Sequence, residues 1–412
     1  VAKGWNRTET WLALFALGVG GLLLAIAGLW VYVSATATPL HPEPDRVPTA
    51  TDSDPPRQWT GAVKQGRQII RAGISEQNLP GLSVAVGVGD EIVWAEGVGF
   101  ADLEKRAPVT PGTRFRIGTA SVALTSAAAG LLLEKNQLRL DDEIQTYVPE
   151  FPKKEWPVTV RQLMGHLAGL GTDSGDEGPL FGQHCEHPVQ GLEVVADDRL
   201  RFEPGTQYRH SDYGWIAVSA AIEAVARQDF LTYMREQIFD PLGMRDTRAD
   251  SLTKEIPDLA TSYFPRFAAD PRYGPDVMRD LDLSCYAGAS VFLSTPSDLV
   301  RFGLALASGK LLQPGTVQLL QASQRLTSGQ ETGYGLGWDL ETVSILGKET
   351  RAVGHDGETL GGLVTSFMTL PDHGIVVSVM SNTSYADTFA LATKIAEVFA
   401  EQASSPQRRN QP

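Results

Sequence analysis

This chain has little cysteine, a deficit of basic charge and no repeated architecture. Two of its 412 residues are cysteine, Cys185 and Cys285, so covalent cross-linking of the fold is limited to one bridge. Lys and Arg total 35 against 49 Asp and Glu, a formal net charge of −14. Tracking a phosphate backbone needs a positive field, so the composition argues against nucleic acid as a partner and suits a soluble ectodomain. Neither an internal repeat nor a helix-turn-helix pattern occurs, which sets aside solenoids and the commonest DNA-reading motif.

Charge of either sign is missing from Trp11 to Val33. As helix this run measures roughly 34 Å, enough to cross a ~30 Å hydrocarbon core. Lys3 and Arg7 precede it, and no Lys or Arg follows before Arg46. The sequence therefore predicts one transmembrane helix over 11–33, with residues 1–10 cytoplasmic and the main domain periplasmic or otherwise extracytoplasmic, such as an intermembrane space. Trp11 at one end, and Trp30 with Tyr32 at the other, would sit at the two interfaces. A cleaved signal peptide is the rival reading, because Ser34-Ala35-Thr36-Ala37 offers small residues to a peptidase. The apolar run exceeds a signal core, which favours an anchor. Ala16 with Gly20, and Gly21 with Ala25, are spaced for close approach of a neighbouring helix, so other membrane-protein subunits are expected partners beside the bilayer.

Pro39, Pro42, Pro44, Pro48, Pro55 and Pro56 interrupt residues 34–58. That predicts an extended linker, holding the globular part off the bilayer or lying along a partner. The folded domain then spans 59–403 and a polar flexible tail 404–412. Within the domain, Val63, Ile69, Ile70 and Ile74 predict an amphipathic helix over 60–77. Strands are expected over 82–88 and 92–99 around a Gly89-Asp90 turn. A long helical middle runs from about Thr119 to Leu320, with Ser126 to Leu133 as a buried helix. Strands follow over 336–346, 351–354, 363–370 and 375–381, and a closing helix over 385–401.

Several ordered blocks carry a family resemblance. Phe115-Arg116-Ile117-Gly118-Thr119-Ala120-Ser121-Val122 resembles the entry to a nucleophile helix. Val158 to Leu170 resembles the block that follows it. Glu203-Pro204-Gly205-Thr206 leads into His210-Ser211-Asp212-Tyr213-Gly214, and then come Phe239 to Met244, Ala287-Gly288-Ala289 and Ser294 to Leu299. Tyr334-Gly335-Leu336-Gly337-Trp338 and Gly354-His355-Asp356-Gly357 complete the series. In this order they are similar to serine β-lactamases and penicillin-binding proteins, specifically class C β-lactamase-related serine hydrolases of the LACTB type. The resemblance implies an α+β, two-lobed fold: an antiparallel sheet flanked by helices, built from strands at both chain ends, with a helical lobe inserted.

It also implies where chemistry should sit. The family's Ser-x-x-Lys places a nucleophile and its ammonium partner one helical turn apart. Here Thr119 stands at the Ser position and Val122 at the Lys position, and valine cannot accept a proton. His210 occupies the place of the family's Tyr, and His355 that of its strand histidine. Gly357 would leave room beside His355, and the N–H groups of Thr119 and Glu358 would form an oxyanion hole. Ser211 and Asp212 complete the expected cleft. Ser121 and Ser126 are not followed by Lys at the required spacing. Thr119 as a helix N-cap, Val122 as core filling and His166 as structural are the expectations on packing grounds.

Two classes of function follow. One is a membrane-anchored, catalytically degenerate relative serving as an accessory or structural subunit of a membrane complex. The other is a diverged hydrolase of an ester, amide or cell-wall peptide, using Thr119 and His210. The resemblance places Cys185 and Cys285 in loops around the cleft, where an oxidising compartment favours a bridge; two free thiols are the alternative. A third reading groups His184, Cys185 and His187 as metal ligands, but their spacing matches no standard zinc pattern. Neither a metal nor a cofactor is expected.

Overall fold

In a computed structural model, residues 7–171, 180, 182–195, 198–252, 255–359 and 363–404 are described; the tail from 405 lies outside them. The main sheet is antiparallel and nine-stranded among the described residues. Its central strands come from opposite ends of the chain. Gly81–Val88 pairs on one side with Glu91–Asp102 and on the other with Ile375–Ser381, in a register that sets Leu82 against Ser381 and Val88 against Ile375. Leu363–Leu370, Lys348–Gly354 and Asp339–Ile345 continue the sheet outward.

Period-2 alternation divides these strands between two cores. Val84, Val86, Val377 and Val379 face a layer formed by helices Thr60–Glu76 and Thr388–Ser404. In that layer Trp59 and Trp94 stack on Phe399, with centroids 5.5 and 6.1 Å away. Gly66 is required there, because a Cβ would approach Trp94 to 2.7 Å. Ala85, Val376 and Met380 face the other way, onto the helical lobe. That lobe contains Ser121–Glu134, Asp212–Ala226 and Pro296–Ala307, whose inner faces are apolar and buried. The α+β architecture expected from the sequence is therefore present, with two additions. A three-stranded sheet orders Phe115–Arg116, Phe292–Ser294 and Arg248–Ala249, and a short hairpin joins Tyr263–Pro265 to Pro275–Val277.

The Gly89-Asp90 turn is where the sequence put it. The closing helix starts later than expected, at Thr388, and the strand expected to begin at Leu336 begins at Asp339. The largest correction concerns residues 34–58. Residues 34–36 finish the first helix, and the rest form no free linker but dock on the domain they precede. Strand Thr49–Thr51 adds to the sheet edge beside Glu91–Asp102, pairing Thr49 with Val98 and Thr51 with Glu96. His41 is buried against Phe100, and its Nε2–H donates to the carbonyl of Leu79 at 3.0 Å. Loss of hydration lowers the pKa of that imidazole. Beyond the first helix, which ends at Thr36, and a single helical turn at Pro44–Arg46, the prolines favour extended backbone, and that is also what an edge strand uses.

The first helix, Arg7–Thr36, is apolar and long enough to cross a membrane over Thr10–Thr36; its most apolar stretch is not buried by the rest of the molecule, while Val33 near its end is buried.

Candidate active site

Thr119 lies on the single turn Gly118–Ala120 that leads into helix Ser121–Glu134. Strand Phe115–Arg116 holds this turn by pairing with Phe292–Ser294. Buried Arg116 ties the same strand to Asp250 at 2.6 Å and to Asp280 at 3.1 Å. Opposite the turn runs the short strand Gly357–Thr359. A Cβ on Gly357 would meet the carbonyl oxygen of Ile117 at 2.0 Å and the amide nitrogen of Ala120 at 2.8 Å. The room expected beside His355 is thus filled by backbone, and glycine is needed for that close approach.

The hydroxyl of Thr119 donates to the backbone carbonyl of Asp356 at 3.2 Å. It is not a helix N-cap: Ala120 holds that place, and Thr119 donates where a cap would accept. A carbonyl cannot take the proton that a nucleophile must lose. Val122, one turn on, is completely buried among apolar side chains and has become part of the core. Ser121 and Ser126 are also committed to structure. Ser126 donates to the Leu336 carbonyl at 2.6 Å and accepts from Trp338 Nε1, while Ser121 accepts the amide of Phe292.

A cluster of rings fills the space around His355. The Asp356 carbonyl lies 2.7 Å from His355 Nδ1 and can only accept, so Nδ1 carries the proton. In the neutral ring Nε2 is then bare and accepts from the Tyr334 hydroxyl at 3.0 Å. Burial holds the Tyr334 phenol well above its usual pKa, so it remains a donor. His166 packs on Tyr334, centroid to centroid 4.8 Å, and on His210 at 4.4 Å. Its Nδ1 accepts the Ser211 amide at 3.1 Å, which puts its own proton on Nε2, a buried atom without a partner among the described residues. Burial first, then His210 and His355, press the His166 pKa well below the ordinary value. Ser211 is fully used, since its hydroxyl donates to the Gly171 carbonyl at 2.6 Å.

His210 is exposed and stands 3.8 Å from Asp212 Oδ1. No hydrogen bond joins it to Thr119 among the described residues. Thr119 and His355 meet at the Asp356 carbonyl, and His210 reaches the ring cluster through His166; the sequence reading did not name Tyr208, Tyr334 or Asp339 as site residues. Tyr208 stands beside His166 and Tyr334, its phenol raised to about 12 by burial. Asp339 accepts the Asp356 amide at 3.1 Å. Tyr334 lies within one of the blocks that carry the family resemblance, and its aromatic hydroxyl was the available signal. Desolvation and the nearby Asp339 carboxylate push the Asp356 carboxyl up to about 7.

Away from the turn, Cys185 and Cys285 are joined by a disulfide across 100 residues. This removes the grouping of His184, Cys185 and His187 as ligands. His184 pairs with Asp282 at 2.9 Å and His187 with Glu223 at 3.0 Å, so the three side chains serve separate contacts.

This architecture, a terminal-strand sheet and a helical lobe meeting at a helix-entry turn, is that of the penicillin-recognising serine hydrolases. The chain belongs to the β-lactamase family, whose model matches residues 67–400. It is 25% identical over 450 residues to the human mitochondrial serine β-lactamase-like protein LACTB, covering 84% of this chain and 81% of that protein. It is also 25% identical over 313 residues to penicillin-binding protein 4* of Bacillus subtilis, covering 73% and 67%. Among solved structures it resembles the octameric penicillin-binding protein homologue of Pyrococcus abyssi, with TM-score 0.69 and 22% identity over 82% of this chain and 77% of that one. At that identity the structural likeness speaks for the fold.

Proposed function

We propose that this is a membrane-anchored β-lactamase-family protein that has given up acyl transfer and acts as an accessory subunit of a membrane complex, its domain on the extracytoplasmic side. One observation carries the loss of chemistry: the hydroxyl at the nucleophile position is bound to a carbonyl, while an apolar, buried valine replaces its base. General acid–base steps contribute ~10²–10⁴-fold, so losing the proton carrier removes most of the rate. The apolar first helix supports anchoring, and the mitochondrial designation of the human relative is compatible with an intermembrane-space location.

Intact chain in detergent should not be acylated by penicillins, cephalosporins or fluorophosphonates. Stoichiometric adduct on Thr119 by mass spectrometry would favour the other reading, a diverged hydrolase in which the exposed His210 removes the proton. The double change Thr119→Ser with Val122→Lys should restore detectable labelling if only these two groups were lost. Copurification from native membrane tests the subunit role; recovery of this chain alone argues against it.

A further inference from the structure

We propose that the loop between strands Tyr263–Pro265 and Pro275–Val277 is a second membrane contact, seated in the phospholipid headgroup layer beside the first helix. This rests on the reading of that helix as a membrane anchor. Trp11 and Trp30 are separated by about 28 Å of helix, close to the thickness of a hydrocarbon core, so they mark its two boundaries. Trp30 Nε1 donates to the hydroxyl of Tyr273 at 3.1 Å. Tyr273 therefore lies at the depth of the outer boundary. Arg266 holds the same loop to the helix at a higher level, with its guanidinium 3.4 Å from Thr36 Oγ1 and 3.5 Å from the Val33 carbonyl. The domain is thus not suspended above the bilayer: two contacts about one turn apart along the helix fix the loop at the interface.

The chemistry of the loop suits that depth. Phe267 packs edge-on against Tyr273, and Ala268 and Ala269 are exposed between them and Asp270. Its two cations each have partners within the protein. Arg272 makes paired bonds to Asp270 at 3.0 and 2.6 Å, and Arg266 faces the helix and the Tyr273 carbonyl. With Arg272 paired to Asp270 and Arg266 turned toward the helix, the loop carries little uncompensated positive charge and is suited to the apolar–polar boundary itself. Contact should therefore not require anionic lipid.

The test uses the full chain reconstituted in phosphatidylcholine vesicles. With both native cysteines bonded, Ala268→Cys and Leu23→Cys each supply one thiol for an environment-sensitive fluorophore. Brominated lipids report contact and depth. The expected result is strong quenching at 23 by bromines deep in the chains, and quenching at 268 chiefly by bromines near the headgroup. Adding phosphatidylserine should change neither by more than a small fraction. Phe267→Glu should at least halve quenching at 268 while leaving 23 unchanged. Quenching at 23 with none at 268 overturns the loop contact and keeps the anchor. Absence of quenching at both overturns the anchor and the loop contact together.

Discussion

Asp356 shows how one residue can serve a site through its backbone while its side chain works against stability. Its carbonyl takes hydrogen bonds from Thr119 and His355, yet its carboxyl is held up at about 7. An unfolded aspartate releases its proton near pH 4. Between about pH 4 and about pH 7 the folded chain retains the proton and the unfolded chain does not, so this group lowers stability as pH rises, and the penalty is complete above about 7. Asp356→Asn should therefore raise the Tm at pH 8 relative to the parent and leave it nearly unchanged at pH 4. Equal shifts at both values would show that the carboxyl is not titrating late. Arg116 is the opposite case, a buried cation with two anionic partners. Arg116→Met would leave Asp250 buried and unpaired, a loss of about 3–5 kcal/mol in urea unfolding of the detergent-solubilised chain.

Among elements, those closed by local signals were legible in the sequence. The Gly89-Asp90 hairpin needs only a turn pair between two apolar runs, and the buried helix after Ser121 announces itself by small and apolar residues. Strand Thr49–Thr51 was not legible, because its partner, Glu91–Asp102, lies some forty positions away and its own residues carry no alternating apolar face. Tyr208 lies two positions before His210, Tyr334 inside a block that carries the resemblance and Asp339 directly after it, so what short motifs left unread was not their place in the chain but their contacts across space. The ordered blocks gave Thr119, Val122, His210 and His355 their expected positions through the register of the family resemblance. What their hydroxyls and rings bond to depends on where Asp356 falls in space. The disulfide tests element cohesion directly. It closes a loop of about 100 residues, worth up to ~4.7 kcal/mol in the chain-entropy view, so reduction should lower the Tm measurably. Non-reducing peptide maps of protein from native membrane should show Cys185 linked to Cys285; free alkylatable thiols at both would exclude the bridge.

At the scale of the whole molecule, both chain ends converge on the sheet, and the helical lobe sits between them as a long insertion. A fold closed in this way keeps its shape without catalysis, which is what a binding role requires. The stretch from the apolar helix into the domain also has a mechanical consequence. Tension applied at the helix reaches the domain first through the Trp30–Tyr273 and Arg266–Thr36 contacts, then Asn78 and His41, then the short strand Thr49–Thr51. These are few bonds at an edge, and Val47 is the one side chain of the stretch set into a core. They should yield while the sheet stays whole, and peeling residues 37–58 releases roughly 70 Å of chain at ~3.3 Å per residue. The segment therefore behaves as stowed slack, a short stiff coupling at rest that lengthens under load before the domain itself is strained.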